Sequence, residues 1–178
     1  MTGPVVNKAR RGVFLRSLVC WLLLYAVLLT IYNGTYHLTR EVLIGKVQVA
    51  PASFLLSWTL PDVDIRYDAA SIQTPALVLQ ILRGCDGVEV WAMLVAAMLV
   101  FPMPWRRRWQ GLVWGTLLLL VANLARIVSL FHIALTRMDW FDIAHGVIWQ
   151  GVMVLLTGAF VLGWTNPRRV SAEREAFS

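Results

Sequence analysis

The sequence predicts an all-α integral membrane protein: four transmembrane helices, an interfacial helix and a small extracytoplasmic β-hairpin. Three observations predict it. Hydrophobic residues make up 58% of the 178-residue chain and charged residues only 15%, whereas soluble domains carry roughly 25% charged residues. The mean hydropathy is +0.66. The apolar residues also gather into long runs, and the basic residues flank those runs rather than interrupting them. A single membrane-embedded domain over 1–165 with a basic cytoplasmic tail over 166–178 follows, leaving no room for a large soluble domain. The formal charge of +6 reads as topology and contact with anionic lipid, not as nucleic-acid binding.

The elements follow in order. Lys8, Arg10, Arg11 and Arg16 precede the uncharged apolar run Ser17–Tyr32, which reads as an uncleaved first span. Over 36–58, apolar residues are interrupted by Arg40, Glu41 and Lys46. That pattern predicts an amphipathic helix at the membrane interface, disturbed near Pro51. Val63, Ile65 and Tyr67 alternate with Asp62, Asp64 and Arg66, and Val78, Gln80 and Leu82 continue an extended pattern. A hairpin or three-stranded sheet is expected there, leading into Gly84-Cys85-Asp86-Gly87. Val88–Phe101 is the second span, ended by Pro102 and Pro104. The basic loop Trp105–Trp109 leads to the third span, Gly111–Leu135, of about 25 residues. A polar link over 136–144 precedes the fourth span, His145–Trp164.

Charge sets the orientation. Both termini and the Arg106–Arg108 loop are basic, and the remaining loops carry more acids than bases. The positive-inside rule places both ends in the cytoplasm. A bacterial cytoplasmic membrane is the most economical home. Of the two cysteines, Cys20 reads as a small core residue of the first span and Cys85 as a free thiol in a polar turn, so no disulfide is expected.

Arg126 is the one permanent charge in Gly111–Leu135. A charge at membrane depth costs several kcal/mol and marks a functional site by default. The topology sets Arg126 in the outer half of the third span, Cys85 at the outer entrance of the second and His145 at the outer entrance of the fourth. A thiolate is a nucleophile, and a neighbouring cation lowers its pKa. An imidazole exchanges a proton near neutral pH, and a guanidinium stabilises an oxyanion. The set suits acyl transfer by a cysteine peptidase or transpeptidase. It does not suit a metal, because one Cys and one His leave too few ligands.

Each residue also has a plainer reading. Arg126 can snorkel to the interface or pair with a buried acid, Cys85 can simply pack, and His145 can be an interfacial amphipath. Asp142, one turn before His145, can orient the imidazole or be a solvated acid. His37 and His132 show that the chain uses histidine elsewhere.

Three segments sharpen the reading: RGCDGVEVW at 83–91, ANLARI at 122–127 and AHGVIWQG at 144–151. In this order and at this spacing they resemble the exosortase/archaeosortase family of membrane cysteine transpeptidases, over roughly residues 10 to 165. The resemblance carries that family's Cys, Arg and His onto Cys85, Arg126 and His145, and its Asn onto Asn123. It implies no cofactor. It implies as substrates exported proteins with a C-terminal sorting signal: a short motif, a transmembrane helix and a basic end. Cleavage would pass through a thioester, with transfer to an acceptor on a lipid or glycan, or to water. Two departures stand out. Asp86 occupies the position after the Cys where exosortases most often have Ser, and this chain has fewer spans than many members. Two rivals remain: a non-catalytic membrane subunit of an export or polysaccharide assembly system, and a small transporter with Arg126 on an anion path.

Overall fold

One helix opens the chain and does not end where the first apolar run ends. In the computed structural model, which describes residues 4–166, α1 spans Pro4–Arg40. It passes directly into a π-helical segment, Glu41–Val49, and then into α2, Ala50–Thr59. Backbone dihedrals stay right-handed helical at Arg40 and Ala50. The separate interfacial helix expected over 36–58 is therefore a continuation of the first helix. Pro51 falls where the π-helical turns give way to α2, and its missing N–H removes one backbone bond of the continuous helix there. One stripe of this continuation is fully buried: Ile44, Val49, Ala52 and Leu56. It packs on Ala70, Ile72 and Ile81 and on Ile127 and Phe131, each large side chain gaining about 1.5–3 kcal/mol from burial. At Gly45 an added Cβ would lie 3.1 Å from the Ala69 carbonyl oxygen, so the chain there approaches backbone to backbone.

The expected hairpin is a three-stranded antiparallel meander, β1 (Arg66–Tyr67), β2 (Ser71–Gln73) and β3 (Val78–Gln80), in that spatial order. Tyr67 pairs with Ile72, and Ile72 with Leu79. Pairing starts later than the alternation from Val63 suggests, because Leu60 to Val63 forms a turn closed by Val63 N–H donating to the Leu60 carbonyl at 3.2 Å. Asp68 turns the chain into β2. Its Oδ1 accepts the Ala70 and Ser71 N–H groups at 2.9 Å each. The Ala70 bond leads the interactions that hold this carboxyl below its ordinary range.

Among the described residues, three helical stretches are long and apolar enough to cross a membrane: Phe14–Thr59, Trp105–Thr136 and Met138–Trp164. The expected second span is shorter. α3 covers Val88–Val100, 13 residues, or about 20 Å at helical rise, against a hydrocarbon core of about 30 Å. Pro102 and Pro104 stop it. α4, Trp105–Thr136, forms the axis of a second core with α3 and α6 (Trp149–Trp164). Val90, Leu94, Met98, Leu119 and Met153 fill it. Gly111 and Gly115 lie one turn apart at the crossing. A Cβ would come within 2.5 Å of Trp164 Nε1 at Gly111, and within 2.6 Å of Leu94 Cδ2 at Gly115. Small residues that admit close helix approach are typical of membrane bundles.

Between α4 and α6 the expected polar link is mostly helical: a 3₁₀ turn at Met138–Trp140, α5 at Phe141–Ile143 and a π-helical turn at Ala144–Ile148. His145 thus sits inside a helical stretch rather than at its start. Cys20 is exposed, not a core residue, because its stretch of α1 presents Val19, Leu22 and Leu23 outward with little packed over them. The predicted tail over 166–178 lies outside the described residues beyond Asn166.

Candidate active site

The site is built on a four-residue turn. Gly84 and Gly87 both take positive φ, 86° and 71°, a region that glycine enters without steric cost. They bracket Cys85 and Asp86 and reverse the chain from β3 into α3. Asp86 is 3% exposed. Its Oδ1 accepts the Val88 N–H at 3.1 Å, satisfying an unpaired donor at the start of α3. Its Oδ2 accepts the hydroxyl of Tyr32 from α1. Asp86 thus has a structural use: its carboxylate ties the turn to both helices.

Arg126 faces inward. The buried positions of α4 run Gly115, Leu119, Asn123, Arg126, Ile127 and Leu130, one stripe at helical spacing. Arg126 is 3% exposed, so the structure does not turn it outward to snorkel, and it forms no ion pair among the described residues. Its Nη2 lies 4.0 Å from Cys85 Sγ, and its buried Nε has no hydrogen-bond partner. On the other side of the thiol, His145 Nε2 lies 2.6 Å from Sγ. The three residues singled out in the sequence are therefore brought together from a turn and two helical stretches.

Burial pushes the Cys85 thiol up from its ordinary range. Arg126 opposes that shift, while Asp86 and Glu89 add to it. The resting thiol is thus neutral. Its S–H donates to Nε2 when the imidazole proton resides on Nδ1. Phe141, four residues before His145, stacks on the imidazole with centroids 5.6 Å apart and planes 9° apart. Asp142 is exposed and makes no hydrogen bond to His145, so stacking rather than a carboxylate orients the ring. His132 is accounted for on its own helix, where Nδ1 lies 2.8 Å from the Val128 carbonyl oxygen.

Behind the thiol lies a polar layer that the sequence only half revealed. Asn123, 2% exposed, donates through Nδ2 to Gln48 Oε1 at 2.7 Å and to the Cys85 carbonyl at 3.4 Å. Gln48 in turn donates through Nε2 to the Asp86 carbonyl at 2.5 Å. Gln48, Tyr32 and Phe141 were not singled out from the sequence. A signal for Gln48 was present: it interrupts the apolar stripe Ile44, Val49, Ala52, Leu56, yet Arg40, Glu41 and Lys46 nearby made it look like one more surface polar residue. Among the described residues, no group of three or more His, Cys, Asp or Glu side chains gathers as metal ligands.

No protein-family model, curated protein or solved structure matches the chain.

Proposed function

We propose that this chain is a membrane-embedded cysteine peptidase or transpeptidase that removes C-terminal sorting signals from exported proteins. One observation carries the reading. A half-buried thiol stands 2.6 Å from an imidazole nitrogen, with a buried guanidinium that has no acidic partner 4.0 Å from the same sulfur.

The chemistry follows from the resting charges. Cys85 is neutral at rest, so His145 acts as general base: it takes the thiol proton as Sγ attacks the scissile carbonyl carbon. Negative charge then develops on the carbonyl oxygen. Arg126 stabilises it, an effect enlarged where water is excluded. His145, now protonated, gives its proton to the leaving amine as the C–N bond breaks. The remaining thioester is attacked by the acceptor, an amine or hydroxyl on a lipid or glycan, or by water. A substrate anchored by its own transmembrane helix would need little soluble mass from the enzyme. The charge pattern favours a bacterial inner membrane, four membrane-embedded helices, cytoplasmic termini and an extracytoplasmic site.

The rival is a non-catalytic membrane subunit of an export or polysaccharide system. The upward displacement of the Cys85 thiol favours it, since a neutral thiol is a poor nucleophile without its base. One experiment separates the two. A co-expressed exported protein ending in a short motif, a transmembrane helix and an Arg cluster is followed in cells carrying the wild type or Cys85→Ala. The proposal expects tail removal with the wild type and none with Cys85→Ala at equal membrane abundance. Equal processing in both would sink it.

A further inference from the structure

The Gly84–Gly87 turn is fastened to α1 and α3 by the Asp86 carboxylate. Two of its four residues are glycines at positive φ, and glycine brings the least backbone restriction of any residue. An apolar cavity of about 420 Å³ lies between α1, the first π-helical segment, α3 and α4, with Asp86, Gly87 and Val88 on its wall. Side-chain amides reach the two carbonyls between the glycines: Asn123 donates to that of Cys85 and Gln48 to that of Asp86.

Gln48 is the more telling of the two. It is 6% exposed on an otherwise apolar stripe, a position where an amide is costly unless paired at both ends. Both ends are paired: Oε1 accepts from Asn123 and Nε2 donates to the Asp86 carbonyl. It also stands in a π-helical segment, a distortion frequent at functional sites.

We propose that Gln48 is a positioning residue that holds the Cys85 thiol against His145 through the backbone of the Gly84–Gly87 turn. This rests on the reading of Cys85 as the nucleophile. Gln48 touches neither the sulfur nor the imidazole. It links the first helix to the turn, while Asn123 links the same amide to the helix that carries Arg126.

The test reads the thiol directly, in the full-length protein in membranes with Cys20→Ala as the parent, so that Cys85 is the one thiol left. Its carbamidomethylation by iodoacetamide, a neutral probe, is timed from pH 6 to pH 10. The groups that face the thiol, namely His145, Arg126, Asp86 and Glu89, are unchanged in the parent and in the Gln48 variants. Gln48→Met keeps the side-chain length and removes both hydrogen bonds. It should slow the reaction near pH 7 about tenfold and give the pH profile of His145→Ala. Adding Gln48→Met to His145→Ala should slow the reaction no further, the non-additivity expected of residues acting through one contact. Gln48→Leu, also uncharged, removes both hydrogen bonds with a different shape; it should fall with Gln48→Met, and it decides the matter if the Met variant fails to accumulate. Ser53→Ala, on the same helical continuation, should match the parent.

A Gln48→Met profile that overlays the parent overturns the inference. So does an equal slowing with and without His145, or a faster reaction at every pH, which would mean a loosened structure. Failure of the underlying reading looks different: Cys85→Ala cells process the substrate normally while the coupling between Gln48 and His145 persists.

Discussion

Two arginines are buried on α4, and the fold uses them in opposite ways. Arg107 is 5% exposed and Arg126 3%. Arg107 donates through Nε and Nη2 to the Trp164 carbonyl at 3.1 and 2.8 Å, at the C-terminal end of α6 where a cation is favoured. Its guanidinium also lies 5.5 Å from the Trp164 ring centroid. Trp164 Nε1 returns a hydrogen bond to the Arg107 carbonyl at 3.1 Å. Arg126 has no comparable partner: a sulfur at 4.0 Å and an unsatisfied Nε. Burial is the same, so burial is not what marks a site. What differs is how much hydrogen-bonding capacity is spent: Arg107 gives two bonds to a carbonyl oxygen, while Arg126 makes one long contact to a sulfur.

The largest expected effect tests the unspent arginine. Arg126→Gln should lower processing about 10²–10³-fold, the usual cost of removing an oxyanion donor, with membrane abundance retained because a poorly compensated charge is gone. Arg126→Lys should also be impaired, since an ammonium lacks the planar fork. Wild-type processing by Arg126→Gln would erase the contrast. Arg107→Gln should do the reverse. It loses charged hydrogen bonds to a carbonyl, worth about 1.5–3 kcal/mol, so denaturation in detergent should come earlier while processing per folded molecule stays unchanged. Next come the glycines of the core that Arg107 closes. Gly115→Ala should destabilise by about 1–3 kcal/mol through overpacking against Leu94. Gly158→Ala, with nothing within 4 Å of the added Cβ, should be neutral or slightly stabilising.

The smallest effect is a pH shift. The native Cys85 thiol is displaced upward, chiefly by burial, so its protonated form is favoured in the fold. Its contribution to stability is complete below the ordinary thiol range and is lost as pH rises through the native value. Carbamidomethylation of Cys85 in the Cys20→Ala parent should therefore still be rising at pH 9. Arg126→Gln removes the opposing cation and should move the profile further to the alkaline side. Arg107→Gln should leave it in place.

The same division explains what could be read from the sequence. Arg126 was legible because a lone cation in an apolar run is costly, and its neighbours in the fold could be guessed from topology and the resemblance of short segments. The sheet was legible from alternation, although Pro61 and Asp62 delayed its first strand. The helix over 36–58 was legible as amphipathic, but not as a continuation of α1: its charged residues look the same on a separate helix. Gln48 offered a weak signal, its place on an apolar stripe, and Tyr32 none, because their partners Asp86 and Asn123 are remote in sequence. A polar residue in a helix declares little until its partner is known. The bounds of α3 were read to within one residue, but its 13 residues were taken for a full span because an apolar run shows its composition more plainly than its reach.

The π-helical segment Glu41–Val49 makes the first helix sensitive to chain length. Tyr32 and Gln48 both bond Asp86, yet sixteen residues of straight α-helix would separate them by about 24 Å and about 160° of rotation. The axis must bend toward α3 and the wider turns must delay the rotation, a known source of kinks. Deleting one residue between Arg40 and Gln48 would swing Gln48 by about 100° and leave Tyr32 where it is. Many substitutions in this stretch should be absorbed, but a change in its residue count should not, since the number of residues is itself what aligns the two contacts.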